Sequence, residues 1–217
     1  MPVGNKWKLS ALLLLLGLLF SVIVMLALAE FHEEIGEPFL ARVDQLGMQI
    51  IHSHDTPTLT RMALALSWIG SPTTLFPCIS IAAILFWGLR FRRDAVLLAA
   101  AMGGSGVLNT ALKLHFRRVR PDVPWAFVTE HSFSFPSGHS VGAVVLYGIV
   151  TYLLWSHLHA VWQRIAAITA ALLLIAGIGA SRVYLGVHFP TDVAAGYMVG
   201  LLWLLPVIGA NEYLNSR

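Results

Sequence analysis

The feature that most constrains this chain is a series of apolar runs long enough to cross a bilayer. Leu9 to Ala29 contains no charged residue, and as a helix it matches the roughly 30 Å of a hydrocarbon core. Comparable runs recur downstream, and only 12% of the residues are charged against 57% hydrophobic, about half the charged share of a soluble domain. Hydrocarbon offers backbone amides no partner, so such runs must satisfy their own hydrogen bonds as helices. The expectation is an all-α integral membrane protein, one domain over residues 1–217. The lone cysteine, Cys78, permits no intramolecular disulfide and is assigned to packing. A formal net charge of +3, spread over loops, points to membrane topology rather than to nucleic acid.

Read in order, the chain suggests six spans. Lys6 and Lys8 precede the first, Leu9 to Ala29; it is too long for a signal peptide and lacks a clean cleavage site, so it is taken as a retained anchor with a cytoplasmic amino end. The following stretch carries Glu30, Glu33, Glu34, Glu37, Asp44 and Asp55 against Arg42 alone, an imbalance that suits the outer side. Within it Pro38 can open a helix, and Phe39, Val43, Leu46 and Ile50 recur at steps of three and four, the pattern of an extracytoplasmic interfacial helix. His52 and His54 have Asp55 as the one further ligand nearby, too few for a metal site.

Gly70-Ser71-Pro72 breaks the next apolar stretch, which predicts a short re-entrant or surface helix to about Ile69 and a second span over about 73–89. Arg90, Arg92 and Arg93 then mark the cytoplasmic side. The remaining spans are expected at about 95–114, 139–155, 165–180 and 191–210, with both chain ends cytoplasmic and residues 30–70 extracytoplasmic or interfacial. Lys and Arg divide seven to each side in this arrangement, so charge bias alone does not orient it. The densest basic run, Lys113 to Pro121, falls on the outer side, where topology gives no reason for it and a function can. The loop from Asp122 to Phe135 carries Trp125, Phe127, Phe133 and Phe135, aromatics suited either to interfacial anchoring or to bordering a lipid entrance.

Three polar clusters then share the outer face: Lys113 to Pro121, Pro136 to His139, and Ser181 to Asp192. They bring Lys113, Arg120 and Arg182 as cations, His139 and His188 as acid and nucleophile, and Asp192 as an imidazole partner, an inventory for phosphoryl transfer. Pro190 opens the sixth helix and sets Asp192 in its first turn, within reach of His188. A carboxylate on one ring nitrogen fixes the tautomer and leaves the other nitrogen free to attack phosphorus. Ser137 and Gly138 open the fourth helix, where backbone amides and the helix dipole can face an anion. Singly, each of these residues is more simply a headgroup anchor or a helix cap.

The three clusters resemble the signature motifs of the type-2 phosphatidic acid phosphatase family, membrane lipid phosphate phosphatases that share a site with vanadium haloperoxidases. Lys113 with Arg120-Pro121 matches the first, Pro136-Ser137-Gly138-His139 the second, and Ser181-Arg182 with His188 and Asp192 the third. The resemblance implies a six-transmembrane bundle and a phosphohistidine at His188 oriented by Asp192. It further implies a proton from His139, phosphate held by Lys113, Arg120, Ser137, Gly138 and Arg182, and no metal ion or cofactor. The implied partner is a membrane lipid phosphate, with no obligate protein partner. The small size and short loops resemble bacterial members acting on phosphatidylglycerophosphate or undecaprenyl diphosphate. A lipid-linked phosphotransferase using the same phosphohistidine, and a non-catalytic lipid-phosphate binder or transporter, are the alternatives.

Overall fold

The computed structural model describes residues 12, 15–17, 19, 23 and 37–215, all of its regular structure helical. Most of the first expected span and of the acidic stretch before Glu37 lies outside the described residues. Gly17, within that span, packs against Pro206 near the other end of the sequence.

From Glu37 onward seven α-helices follow: α1 (Glu37–His52), α2 (Pro57–Ile69), α3 (Pro72–Gly88), α4 (Arg92–Phe116), α5 (Gly138–Leu154), α6 (Val161–Tyr184) and α7 (Pro190–Asn215), with a 3-10 turn at Trp155–His157. Their limits have local causes. Pro57, Pro72 and Pro190 each begin a helix, where the missing amide proton costs nothing. Thr56 Oγ1 caps α2 by accepting from the Leu59 amide at 3.2 Å, and Ser71 Oγ caps α3 by accepting from Thr74 at 3.2 Å. Arg117 ends α4 in the left-handed conformation, φ 47°.

Helices α4 and α7, α5 together with its terminal turn, and α6 are each long and apolar enough to cross a membrane. Helices α2 and α3 meet that test only together, as a pair bent by 43° at the Gly70-Ser71 break. Helix α3 alone, with 17 residues reaching about 25 Å, falls short of that test. Helix α6 also runs further than its hydropathy predicts and takes Ser181 and Arg182 into its last turn. Arg182 can stay helical there because it is buried against protein rather than lipid.

Helix α5 lies at the centre. Its Val141, Val145 and Ile149 pack against Leu108 and Leu112 of α4 and against Val199, Trp203 and Val207 of α7. The α5–α7 approach depends on two missing side chains: a Cβ on Gly196 would stand 2.8 Å from the Ser137 carbonyl oxygen, and one on Gly200 would stand 2.7 Å from Val144 Cβ. Trp203 Nε1 ties α7 to α4 by donating to the Ala101 carbonyl at 2.8 Å.

Helix α1 has two faces. The apolar stripe Phe39, Val43, Leu46 and Ile50 is exposed, while Asp44 and Met48 are buried on the other side. Gly47 rests on Pro190, where a Cβ would lie 2.7 Å from Pro190 Cγ. The helix thus sits on the start of α7 and turns its apolar stripe outward.

Candidate active site

Alternating helix directions bring the end of α4, the start of α5, the end of α6 and the start of α7 to one end of the bundle. Between them and the α2–α3 break lies a cavity of about 950 Å³, lined among others by Lys113, Arg120, Gly138, His139, Arg182 and His188.

His188 occupies the turn between α6 and α7 and is 1% exposed. That turn needs glycine: Gly186 has φ +75°, and a Cβ there would stand 3.0 Å from Val123 Cγ2 and 3.1 Å from Ala126 Cα. The ring nitrogens of His188 meet different partners. Nδ1 faces Asp192 Oδ2 at 3.3 Å and Ser134 Oγ at 3.4 Å, while Nε2 faces Arg120 Nη1 at 3.2 Å. Because arginine only donates, Nε2 is the acceptor and the ring proton belongs on Nδ1, toward the carboxylate. Burial, opposed by the bond to Asp192 and reinforced by Arg120, pushes the His188 imidazole down from 6.5 to about 4. The ring is therefore neutral near pH 7, with its lone pair on the cavity side.

Asp192 is fully buried in the first turn of α7. Oδ2 also accepts from the Phe189 amide at 2.9 Å and from Ser134 Oγ, and Oδ1 accepts from Arg118 Nη1 at 2.5 Å. Its negative charge is thus held by four donors before any substrate arrives.

The cations reach the cavity from three elements. Lys113 Nζ, one turn from the end of α4, donates to the Phe133 carbonyl. Arg120 donates to the carbonyls of Val187 at 2.7 Å and Ser132 at 2.7 Å, which fixes its guanidinium beside His188; burial lowers its pKa against the pull of Glu130 and Asp192. Arg182, 2% exposed, donates to Ser67 Oγ and, at 2.6 Å, to Glu130 Oε1, and its buried Nε has no hydrogen-bond partner among the described residues. His139 lines the same cavity from the first turn of α5.

A family model described as the PAP2 superfamily matches residues 94–215, which take in Lys113, Arg120, Gly138, His139, Arg182 and His188 of the cavity lining. The chain belongs to the PAP2 superfamily. Phosphatidylglycerophosphatase B of Bacillus subtilis (strain 168) is 37% identical over 161 residues, covering 73% of this chain and 78% of the relative. Undecaprenyl-diphosphatase of Sulfolobus acidocaldarius is 31% identical over 157 residues, 70% of each chain. The crystal structure of a transmembrane PAP2 type phosphatidylglycerolphosphate phosphatase from Bacillus subtilis superposes with a TM-score of 0.78 at 32% identity, covering 90% of this chain and 96% of that one. Aquifex aeolicus LpxE follows at a TM-score of 0.58, 25% identity and 76% and 92% coverage. The PAP2 chain is accordingly a multi-pass membrane phosphatase of lipid metabolism.

The PAP2 cavity gathers Lys113, Arg120, Gly138, His139, Arg182 and His188, with Asp192 directly behind His188. Ser137 stands apart from the lining residues: it is fully buried, its Oγ accepts from the Ser140 amide at 3.4 Å, and its own amide donates to the Asp192 carbonyl at 3.0 Å. Its place is that of the α5 cap and a strut to α7. Four further residues escaped the sequence reading. Ser134 bridges Asp192 and His188, Glu130 and Ser67 hold Arg182, and Arg118 links Asp192 to Asp44. Arg118 left one signal, a third arginine within a run that already supplied its motif cations.

The aromatic loop packs largely on protein. Trp125 stacks on His52 with ring centroids 4.1 Å apart, Phe127 stacks on Tyr184 at 5.8 Å, and Phe135 meets Phe116 edge-on at 5.0 Å. Phe133 lines the cavity. His52 pairs with Asp55 at 2.6 Å, and His54 Nδ1 lies 2.9 Å from the Ile50 carbonyl. Among the described residues no group of three or more His, Cys, Asp and Glu could hold a metal ion.

Proposed function

We propose that the chain hydrolyses a membrane lipid phosphate or diphosphate at the extracytoplasmic face through a phosphohistidine at His188. The observation that carries this reading is the two-sided setting of His188, with Nδ1 on Asp192 and Nε2 turned toward a cavity lined by cations. In the first step the Nε2 lone pair forms a bond to phosphorus while the phosphorus–oxygen bond to the lipid breaks. The departing oxygen keeps the electron pair and takes a proton from His139. The Nδ1 proton stays on the ring against Asp192, which holds the resulting cation. Water, relieved of a proton by His139, then releases inorganic phosphate and restores Nε2. Lys113, Arg120, Arg182 and the first amides of α5 neutralise and orient the phosphoryl oxygens, the main contribution a protein makes to this reaction.

In this reading the chain is one domain of six spans: Leu9–Ala29, the bent α2–α3 pair, α4, α5, α6 and α7. Its ends are cytoplasmic, and α1 lies in the outer interface through Phe39, Val43, Leu46 and Ile50, whose exposure supports that placement. The substrate is phosphatidylglycerophosphate, with overlapping action on undecaprenyl diphosphate; the names and coverage of the relatives support both. The test is hydrolysis of a panel of lipid phosphates and diphosphates by the purified chain in detergent, with denaturing quench to trap labelled enzyme. Acid-labile label on wild type and its loss in His188→Ala are expected. Phosphate release at the wild-type rate by His188→Ala would remove the nucleophile. Phosphate passed to an alcohol or sugar acceptor instead of water would make the enzyme a phosphotransferase.

A further inference from the structure

Asp44 is a carboxylate on a surface helix, yet it is 2% exposed and its side chain bonds to Arg118 and Thr191 beside the site. Its Oδ2 accepts from Arg118 Nη2 at 2.7 Å and from Thr191 Oγ1 at 2.8 Å, and its Oδ1 accepts from the Thr191 amide at 2.9 Å. The same guanidinium donates through Nη1 to Asp192 Oδ1 at 2.5 Å and to Thr191 Oγ1 at 2.8 Å, and lies over the Phe189 ring with its carbon 4.2 Å from the centroid. Asp44, Arg118, Asp192 and His188 therefore form a continuous chain of contacts drawn from α1, the α4–α5 loop, α7 and the α6–α7 turn.

The charges along this chain have a consequence. Arg118 by itself would cancel Asp192, and a neutral pair gives little support to a cation on the neighbouring ring. Asp44 supplies a second carboxylate to the same guanidinium, so the three groups together keep one net negative charge behind His188. That charge matters most when Nε2 has bonded to phosphorus and the ring, still protonated on Nδ1, is cationic. The other groups around the ring favour the opposite outcome: Arg120 from the α4–α5 loop, Arg182 from α6 and Lys113 from α4 are cations, and His139 of α5 adds charge when protonated. Glu130 faces Arg182, and Ser134 contributes a neutral hydroxyl.

We infer that Asp44 is a positioning residue for catalysis: by engaging Arg118 it preserves the negative charge of Asp192 that stabilises cationic His188 during phosphoryl transfer. This inference rests on the phosphohistidine reading above. Helix α1 then belongs to the catalytic apparatus while contributing nothing to the cavity wall. A merely structural Asp44, capping α7 through Thr191, would make a different set of predictions.

The test uses the full chain in detergent with phosphatidylglycerophosphate and undecaprenyl diphosphate, taking whichever wild type turns over faster. Asp44→Asn should lower kcat about 10- to 100-fold with KM nearly unchanged, and Asp44→Glu should retain more activity than Asp44→Asn. The decisive variant is Asp44→Asn with Arg118→Gln: removing the arginine too returns its full charge to Asp192, so the double variant should turn over about tenfold faster than Asp44→Asn alone. A structural cap predicts the reverse, because each change would then add to the damage. Wild-type kcat in Asp44→Asn, or a double variant no faster than Asp44→Asn, overturns the inference. Should Asp44→Asn fail to fold, as judged by size exclusion and thermal unfolding, Arg118→Gln alone decides: the acid limb of kcat/KM should move to higher pH, and an unmoved or lowered limb overturns the inference. Activity in His188→Ala would sink the underlying reading, whereas an inactive His188→Ala beside a fully active Asp44→Asn would sink this inference alone.

Discussion

Arg120 Nη1 stands 3.2 Å from His188 Nε2, so a group that can only donate faces the ring nitrogen turned toward the cavity. In the proposed mechanism this contact gives way when phosphorus takes its place. Arg120 remains anchored meanwhile by its bonds to the carbonyls of Val187 and Ser132. Arg120→Ala should therefore lower kcat/KM by about 100-fold or more, and steady-state hydrolysis at several lipid concentrations checks it.

The pH dependence follows from the burial of His188. Its folded value, about 4, lies below the ordinary 6.5, so the imidazole is neutral and able to attack across the range between them. The acid limb of kcat/KM contributed by this group should fall near pH 4. The sign for stability is the same: the contribution is present above pH 6.5 and is lost as pH falls toward the folded value, because the unfolded chain takes up the proton first. A pH series of kcat/KM beside thermal unfolding in detergent measures both, and an acid limb from His188 at 6.5 would show that burial does not govern the ring.

Arg182→Lys should behave almost like Arg182→Ala. The guanidinium holds Ser67 and Glu130 at once and keeps Nε in reserve, a fork that a single ammonium cannot reproduce. Both variants should raise KM and weaken vanadate inhibition by about tenfold or more, read from inhibition curves at fixed lipid.

Gly186→Ala should cost about 1–3 kcal/mol, since φ +75° and the close Val123 and Ala126 atoms both oppose a side chain. Thermal unfolding reads the loss. Activity should fall further than stability alone explains, because the same turn carries His188.

How much of this was legible beforehand depends on the range of each interaction. Helix limits were readable where their causes are local: Pro72 and Pro190 start helices wherever the rest of the chain goes. The motif residues were readable because chemistry of their kind is out of place beside hydrocarbon. Helix α6 was cut short at Ala180 because hydropathy cannot know that Arg182 is buried against Ser67 and Glu130. Asp44 was hidden for a similar reason. Among its acidic neighbours it counts only toward the charge of the outer side, and its meaning comes from Arg118 and Thr191, distant in sequence. Ser137 carries two meanings in the sequence, phosphate ligand and helix cap, because an amide-rich helix start and a cap use the same residue types; the structure shows the cap.

The glycine contacts of α7 have a mechanical consequence. Gly196 and Gly200 let the first turns of α7 close on α5, and the histidines that these helices carry or adjoin are held near one another by that contact. Across the cavity the α2–α3 pair meets the site at a 43° bend, with Ser67 and Trp68 on one arm and Pro72 and Thr73 on the other. Gly70 at that bend is packed on α6, where a Cβ would lie 2.5 Å from Ile178 Cγ2, so both sides of the cavity are built on close approaches.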